Sequence, residues 1–214
     1  MELLQKWSID WQMQFNPDKC KVMHIGRHNP MFTYTIANKQ LEAVKEEKDL
    51  GVIIAEDLKP SAHCTESYTK ANRMLGLIKR TVSSRQLGIM LNLYKSIVRP
   101  HLEYCSPARS PYYKKDKELL EKIQHRFMRF FKDLKDLDYS ERLTRLGLWS
   151  LEERRNRADL IEVFKIVNGH SASPAETFFK FKVDTRTRGH SRMLLKWHSA
   201  RDIRLHFFSE RVAN

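Results

Sequence analysis

Apolar residues recur at helical spacing from the start of the chain. Leu3, Leu4, Trp7, Trp11 and Phe15 form one stripe, with Gln5, Lys6 and Asp10 elsewhere on the wheel, so a helix is predicted over residues 3–15. Asn16-Pro17-Asp18 ends it, because proline disfavours helical geometry in the residue before it. The period then shortens. Cys20–Ile25 alternates like a strand, Gly26–Pro30 reads as a turn, and Phe32–Ile36 reads as a second strand. Asn38-Lys39 is a plausible hairpin turn into Leu41–Val44. Leu50–Ile54 is a short β-branched run, predicted to be a strand buried on both faces.

From Pro60 the texture becomes helical. Cys64, Tyr68, Ala71, Leu75 and Ile78 share a face and predict a helix to about Arg80. Arg85–Arg99 repeats the pattern with Leu87, Met90, Leu91, Tyr94, Ile97 and Val98 inward, until Pro100 kinks or ends it. Ser106–Pro111 has the composition of a loop. Asp116–Lys132 points Leu119, Leu120, Ile123, Phe127 and Phe130 inward, and Tyr139–Leu146 reads as a short helix. Ser150 and Glu153 form a capping box for a long helix that stops near Gly169. Arg154, Arg155 and Arg157 lie in its N-terminal half, against the helix dipole, and that placement suggests a binding role. The expected fold class is therefore α+β, mainly α. Its expected parts are a small α/β segment (1–59), a helical bundle (60–169) and a basic, loosely packed extension (170–214).

Charge sharpens this division. Residues 1–59 hold 8 Lys and Arg against 9 Asp and Glu, whereas 60–214 hold 31 against 17, a net of +14. Such an excess attracts phosphate backbones. Three cysteines without tight spacing form no disulfide framework and suit a reducing, intracellular setting, nucleus or cytoplasm. No apolar run reaches the roughly 20 residues that span a bilayer, and no helix joins a fully basic face to a strongly apolar one, so no membrane partner is expected.

Candidate chemistry is sparse. His101 and Cys105 sit four apart but lack the second half of a zinc site. Glu46-Glu47-Lys48-Asp49 and Glu56-Asp57 flank the Leu50–Ile54 run and read as solvated turns rather than a two-metal pair. No phosphate loop, nucleophile elbow or cofactor motif is present, and no small-molecule substrate is expected. Basic residues interleaved with aromatics carry more. Lys79, Arg80, Lys114, Lys115, Arg126 and Arg129 are the favoured phosphate donors, with Arg85, Arg154, Arg155, Arg157, Arg186, Arg188 and Arg192 as further cations. Phe127, Phe130, Phe131 and Trp149 are interleaved rings. Tyr112 and Tyr113, in a loop beside two lysines, are the best candidates for stacking on bases.

Longer motifs add a resemblance. The Trp7–Ile25 block, a helix running through Phe15-Asn16-Pro17-Asp18 into a strand, resembles the segment just downstream of the catalytic aspartates in reverse transcriptases of LINE-type, non-LTR retrotransposons (the jockey-like and chicken-repeat-like branches). Leu50-Gly51-Val52-Ile53 is similar to their primer-grip strand, and Leu93–Pro107 to their thumb signature. The family continues Ala-Trp-Ser-Pro where this chain has Ala108-Arg109-Ser110-Pro111. Leu119–Phe127 and Arg142–Lys165 resemble the family's C-terminal region, so the likeness runs over about residues 3–212. It implies a distal palm remnant with Leu50, Gly51 and Val52 as its primer-grip-like residues, then a helical thumb-like domain. The metal-binding aspartates would lie upstream of Trp7, so the Mg2+ the family uses has no expected site in this chain. The expected partner is RNA or an RNA–DNA duplex, bound weakly and without sequence preference. The alternative is an element remnant acting as a structural or interaction protein, or with no selected role.

Overall fold

The computed structural model describes residues 2–26, 28–182 and 192–213. It is mainly helical with six short strands among the described residues, and it divides into two compact units, residues 1–62 and 63–214.

The N-terminal unit begins with α1 (Glu2–Asp10), which stops before Trp11. Asn16 caps a single 3-10 turn over Pro17–Lys19 by accepting the Asp18 amide at 3.0 Å, the local bond that makes an Asn-Pro pair a chain-turning element. The strands form three separate pairs. β1 (Lys21–Val22) runs parallel to β4 (Glu42–Ala43), and β2 (Thr35–Ile36) pairs antiparallel with β3 (Lys39–Gln40). β5 (Glu46–Asp49) pairs antiparallel with β6 (Val52–Ala55). Both hairpins turn on two residues of positive φ, Ala37-Asn38 and Leu50-Gly51, the backbone hand that matches strand twist. The expected hairpin turn therefore lies one residue earlier than Asn38-Lys39. The expected Leu50–Ile54 strand is corrected more deeply, because Leu50 and Gly51 form the turn and only Val52 onward is strand. The cause is the neighbouring charged run: Glu46–Asp49, read as solvated charge, supplies the partner strand across the two-residue turn. Buried hydrophobic side chains in this unit are Ile36, Leu41, Val52 and Ala55, whereas Leu3, Leu4, Trp7 and Trp11 of the predicted stripe are exposed. Trp7 and Phe15 meet within it, ring centroids 6.0 Å apart.

The second unit is built on long helices. α2 (Ser61–Thr81) starts directly after Pro60 and buries Cys64, Ala71, Leu75 and Ile78, as its period dictates. A continuous helical run follows: α3 (Leu87–Leu93), a π-helical turn over Tyr94–Val98, and α4 (Arg99–Glu103). Pro100 therefore does not end the helix. It has no N–H for the Ser96 carbonyl, and the turn widens until the Arg99 amide bonds Tyr94 five residues back. The wider turn buries Tyr94 and Val98 and leaves Ile97 40% exposed, against the expected inward placement. α5 (Ser106–Arg109) is one short turn, and α6 (Lys114–Met128) crosses the core with Leu120, Ile123 and Phe127 inward. α7 (Tyr139–Leu146) and α8 (Leu151–Val167) both carry complete capping boxes, Asp138 with Glu141 and Ser150 with Glu153. α8 ends at Gly169 with φ +73°, where the His170 amide reaches back to the Lys165 carbonyl at 2.7 Å.

A polar network locks the bundle. The Tyr94 hydroxyl donates to Gln124 Oε1 at 2.7 Å, and Gln124 Nε2 shares its hydrogens among Trp149 O, the Tyr139 hydroxyl and Glu121. Glu121 in turn accepts the first amide of α8, from Leu151, at 3.1 Å, a carboxylate at the positive end of that helix. Tyr94 also stacks on Phe127 at 4.3 Å. The last elements are α9 (Ala175–Phe178), α10 (Asp202–Leu205) and α11 (Phe208–Val212). Although 170–214 reads as loosely packed in sequence, α11 is anchored. Phe208 joins Ile166 and Phe179 in a second apolar cluster, and Arg211 binds Asp159 of α8 through two 2.8 Å contacts and the Pro107 carbonyl through a third.

Candidate nucleic-acid interface

Helix α6 organises the charge of the second unit. At 3.6 residues per turn, Lys115, Lys122, Arg126 and Arg129 fall within a sector of about 60°. All four are exposed, on the side of the helix away from Asp116, Leu120, Ile123 and Phe127. The stripe runs for about 21 Å, from the first turn to the residue after the last. None of the four makes an ion pair among the described residues. The Arg126 guanidinium is held by Asn72 of α2. Lys122 escaped the sequence reading, although a helical-wheel projection of 114–129 places it between Lys115 and Arg126.

The six favoured donors split into two groups. Lys79 and Arg80 lie in the last turn of α2, exposed. Arg85 ties that end of α2 to α6. It bonds the Val82 and Lys79 carbonyls at 2.6 and 3.0 Å, and its guanidinium lies 5.7 Å from the centre of the Phe130 ring. Arg85 therefore closes the carbonyl end of α2 instead of standing free. Lys79, Arg80, Arg126 and Arg129 thus gather where α2 and α6 both end. Lys114 and Lys115 start α6, roughly 17–22 Å away at 1.5 Å per residue. Lys114 is 3.8 Å from Glu118, and Lys115 lies over the Tyr113 ring at 5.5 Å.

The aromatic candidates are mostly occupied. Tyr112 stacks face to face on His206 at 4.2 Å with an interplanar angle of 6°, which makes it a packing residue for the C-terminal segment. Tyr113 leads into α6 and tilts against Tyr112 at 4.3 Å. Phe127 is core, and Phe130 and Phe131 pack against it. Trp149 is the exception, half exposed, with the Arg157 guanidinium 5.3 Å from its ring centre.

The arginine triple of α8 has three different fates. Arg154 forms a fork with Glu103 of α4, its Nη2 at 3.0 Å. Arg155 is buried, its two Nη atoms lack a hydrogen-bond partner among the described residues, and burial lowers its pKa while Glu121 and Glu152 oppose that shift. Only Arg157 points outward. Arg192 is held by Asn168, and Arg186 and Arg188 lie outside the described residues. Leu50, Gly51 and Val52, the primer-grip-like residues, stand in the β5–β6 hairpin, with Leu50 exposed and Val52 buried.

Burial raises the Cys64 thiol to about 12, with Asp116 beside it acting in the same direction, so this cysteine stays a neutral core group. Among the described residues no three His, Cys, Asp or Glu side chains converge to hold a metal ion, and no helix is long and apolar enough to cross a membrane. Compared with protein-family models, with curated proteins and with solved structures, the chain matches none of them.

Proposed function

We propose that this chain is part of a non-LTR retrotransposon reverse transcriptase, covering the end of the palm, the thumb and the C-terminal extension, and that it binds nucleic-acid duplex without sequence preference. The motif likeness over about residues 3–212 supports the origin. The observation that carries the binding is the exposed α6 stripe, Lys115, Lys122, Arg126 and Arg129, which makes no ion pair among the described residues, with Lys79 and Arg80 beside its far end. Side chains of this kind contact phosphates, which position a partner but carry no base information. A straight 21 Å row of four cations suits a run of phosphates. By this reading the chain supplies grip and no bond-making chemistry.

Fluorescence anisotropy against several unrelated RNA–DNA duplexes tests it, titrated with salt. Similar affinities are expected, with log affinity falling linearly in log salt. The triple variant Lys122→Ala/Arg126→Ala/Arg129→Ala should flatten that slope by about 2–3 units, at roughly 0.9 per phosphate contact. Replacing Lys114 and Lys115 together should flatten it by about one, because Lys115 alone of the two lies on the stripe. An unchanged slope in the triple variant refutes the interface.

A second reading, an interaction protein, rests on the exposed apolar row Leu3, Leu4, Trp7 and Trp11 of the N-terminal unit. Absence of duplex binding even at low salt favours it over the first.

A further inference from the structure

The loop that joins α2 to α3 carries a hydroxyl that the fold leaves idle. Residues 82–86 take no regular secondary structure, and Ser83 is exposed among them. Its side chain makes no hydrogen bond among the described residues. Its neighbour Ser84 is engaged, the hydroxyl oxygen accepting the Gln86 amide at 3.3 Å. Val82 packs on the core and fixes one side of the loop. Arg85 clips the other side through its bonds to the Val82 and Lys79 carbonyls, 2.6 and 3.0 Å long. Ser83 stands between these two anchors.

The chain around it has a single electrostatic sign. Residues 67–102 hold seven Lys and Arg and no Asp or Glu. Lys79 and Arg80 precede Ser83 by four and three residues, and no other serine or threonine among the described residues follows an arginine by three. Protein kinases with an acidic cleft choose their substrates by such charge patterns. Both cations lie in the last turn of α2. A helix end opens at little cost, so a cleft can draw residues 79–84 into an extended segment.

We propose that Ser83 is a phosphorylation site for a serine kinase that reads basic residues, and that its phosphate disables the end of the basic interface where α2 and α6 both stop. The Ser83 Oγ attacks the γ-phosphorus of ATP, the bond from that phosphorus to the β–γ bridging oxygen breaks, the hydroxyl proton passes to the kinase's catalytic aspartate, and ADP leaves. The product carries a charge of about −1.5 to −2, three residues after Arg80 and two before Arg85. Arg85 bonds two neutral carbonyls in the unmodified chain, and a charge-assisted bond to phosphate is stronger, so it turns to the phosphate. The same charge offsets Lys79 and Arg80, beside Arg126 and Arg129. The acceptor site stands on its own, whereas the control of binding rests on the duplex reading above.

The test incubates the whole chain with Mg2+, ATP and a purified kinase whose acidic cleft selects arginine three residues before serine. Mass spectrometry locates the phosphate, and anisotropy measures affinity for an RNA–DNA duplex at about 0.15 M salt. Phosphate on Ser83 is expected. Arg80→Ala should slow its arrival by about tenfold or more, the loss of one charge pair in the kinase cleft. The phosphorylated chain should bind the duplex about thirtyfold more weakly, because cancelling two contacts costs about 0.9 each in the slope of log affinity against log salt. Ser83→Ala should bind as the unmodified wild type does and keep that affinity after kinase treatment, which separates Ser83 from any other acceptor. Absence of phosphate on Ser83, or its arrival at an unchanged rate in Arg80→Ala, overturns the site. A phosphorylated chain that binds duplex as tightly as the unmodified one overturns the control and leaves the interface standing. An unmodified chain that binds no duplex overturns the interface and the control together, while the phosphate on Ser83 still decides the site.

Discussion

Gln124 is the side chain whose loss the second unit should tolerate least. It has no solvent exposure and links four groups from different elements: the Tyr94 hydroxyl, the Tyr139 hydroxyl, Glu121 and the Trp149 carbonyl. Gln124→Leu nearly preserves shape, so little of its cost is a cavity. What remains is the desolvation of groups that no longer have a partner, chiefly the Tyr94 hydroxyl, 2.7 Å from Oε1, and the Trp149 carbonyl, 3.0 Å from Nε2. Each buried orphan costs about 1–3 kcal/mol, so the variant should lose roughly 2–5 kcal/mol. Tyr94→Phe keeps the stack on Phe127 and orphans only Oε1, for about 1–2 kcal/mol. Combined, the two changes remove donor and acceptor together, and the double variant should be about 1–2 kcal/mol more stable than the sum of the singles implies. Urea unfolding followed by helical circular dichroism at constant m measures all three. Additivity to within about 0.5 kcal/mol would show that the hydrogen bond carries no coupling, and the reasoning would fail.

Two further outcomes are expected. Leu50 holds φ +44° at the tip of the β5–β6 hairpin with its side chain exposed. Leu50→Gly relieves about 1–2 kcal/mol of left-handed strain and gives back part of it as unfolded-state entropy, for a net gain of about 0.5–1 kcal/mol. Amide exchange across Glu46–Ala55 should slow, and faster exchange would count against the strain argument. His63 has its pKa lowered from the ordinary 6.5, first by burial and then by Arg109 and Lys70, against the Tyr104 backbone and Glu66. The folded state then binds fewer protons than the unfolded chain, so this contribution is complete above pH 6.5 and is lost as pH falls through the window below it. The lowered carboxylates Asp138 and Glu153 lose theirs only under more acid conditions, below the ordinary 3.8 and 4.5. In His63→Leu the fall of the urea midpoint between pH 7.5 and 5.5 should be shallower than in the wild type. An identical fall would exclude His63 as a source.

The sequence by itself determined what depends on neighbours three or four residues apart. The inward positions of α2 and α6 follow from period, and the Ser150–Glu153 capping box and the Gly169 stop follow from residue types at fixed spacing. In each, the bonding groups lie within one turn of chain. The basic stripe of α6 is of the same kind, Lys122 included. Only the tertiary structure decided the rest, because the deciding partners are distant in sequence. The β5–β6 hairpin is the local exception: Leu50-Gly51 is a turn because the charged run Glu46–Asp49 pairs as a strand with Val52–Ala55. Pro100 was absorbed into a π turn that keeps Tyr94 in the core, where it meets Gln124 thirty residues later. Tyr112 went to packing because His206 lies on its face. Arg154, Arg155 and Arg157 of α8 became an ion pair, a buried cation and an exposed stacking group. A composition-based reading counts all three as phosphate donors, but the fate of a charge is set by what lies within a few ångströms of it, and for Arg154 that is Glu103, 51 residues away.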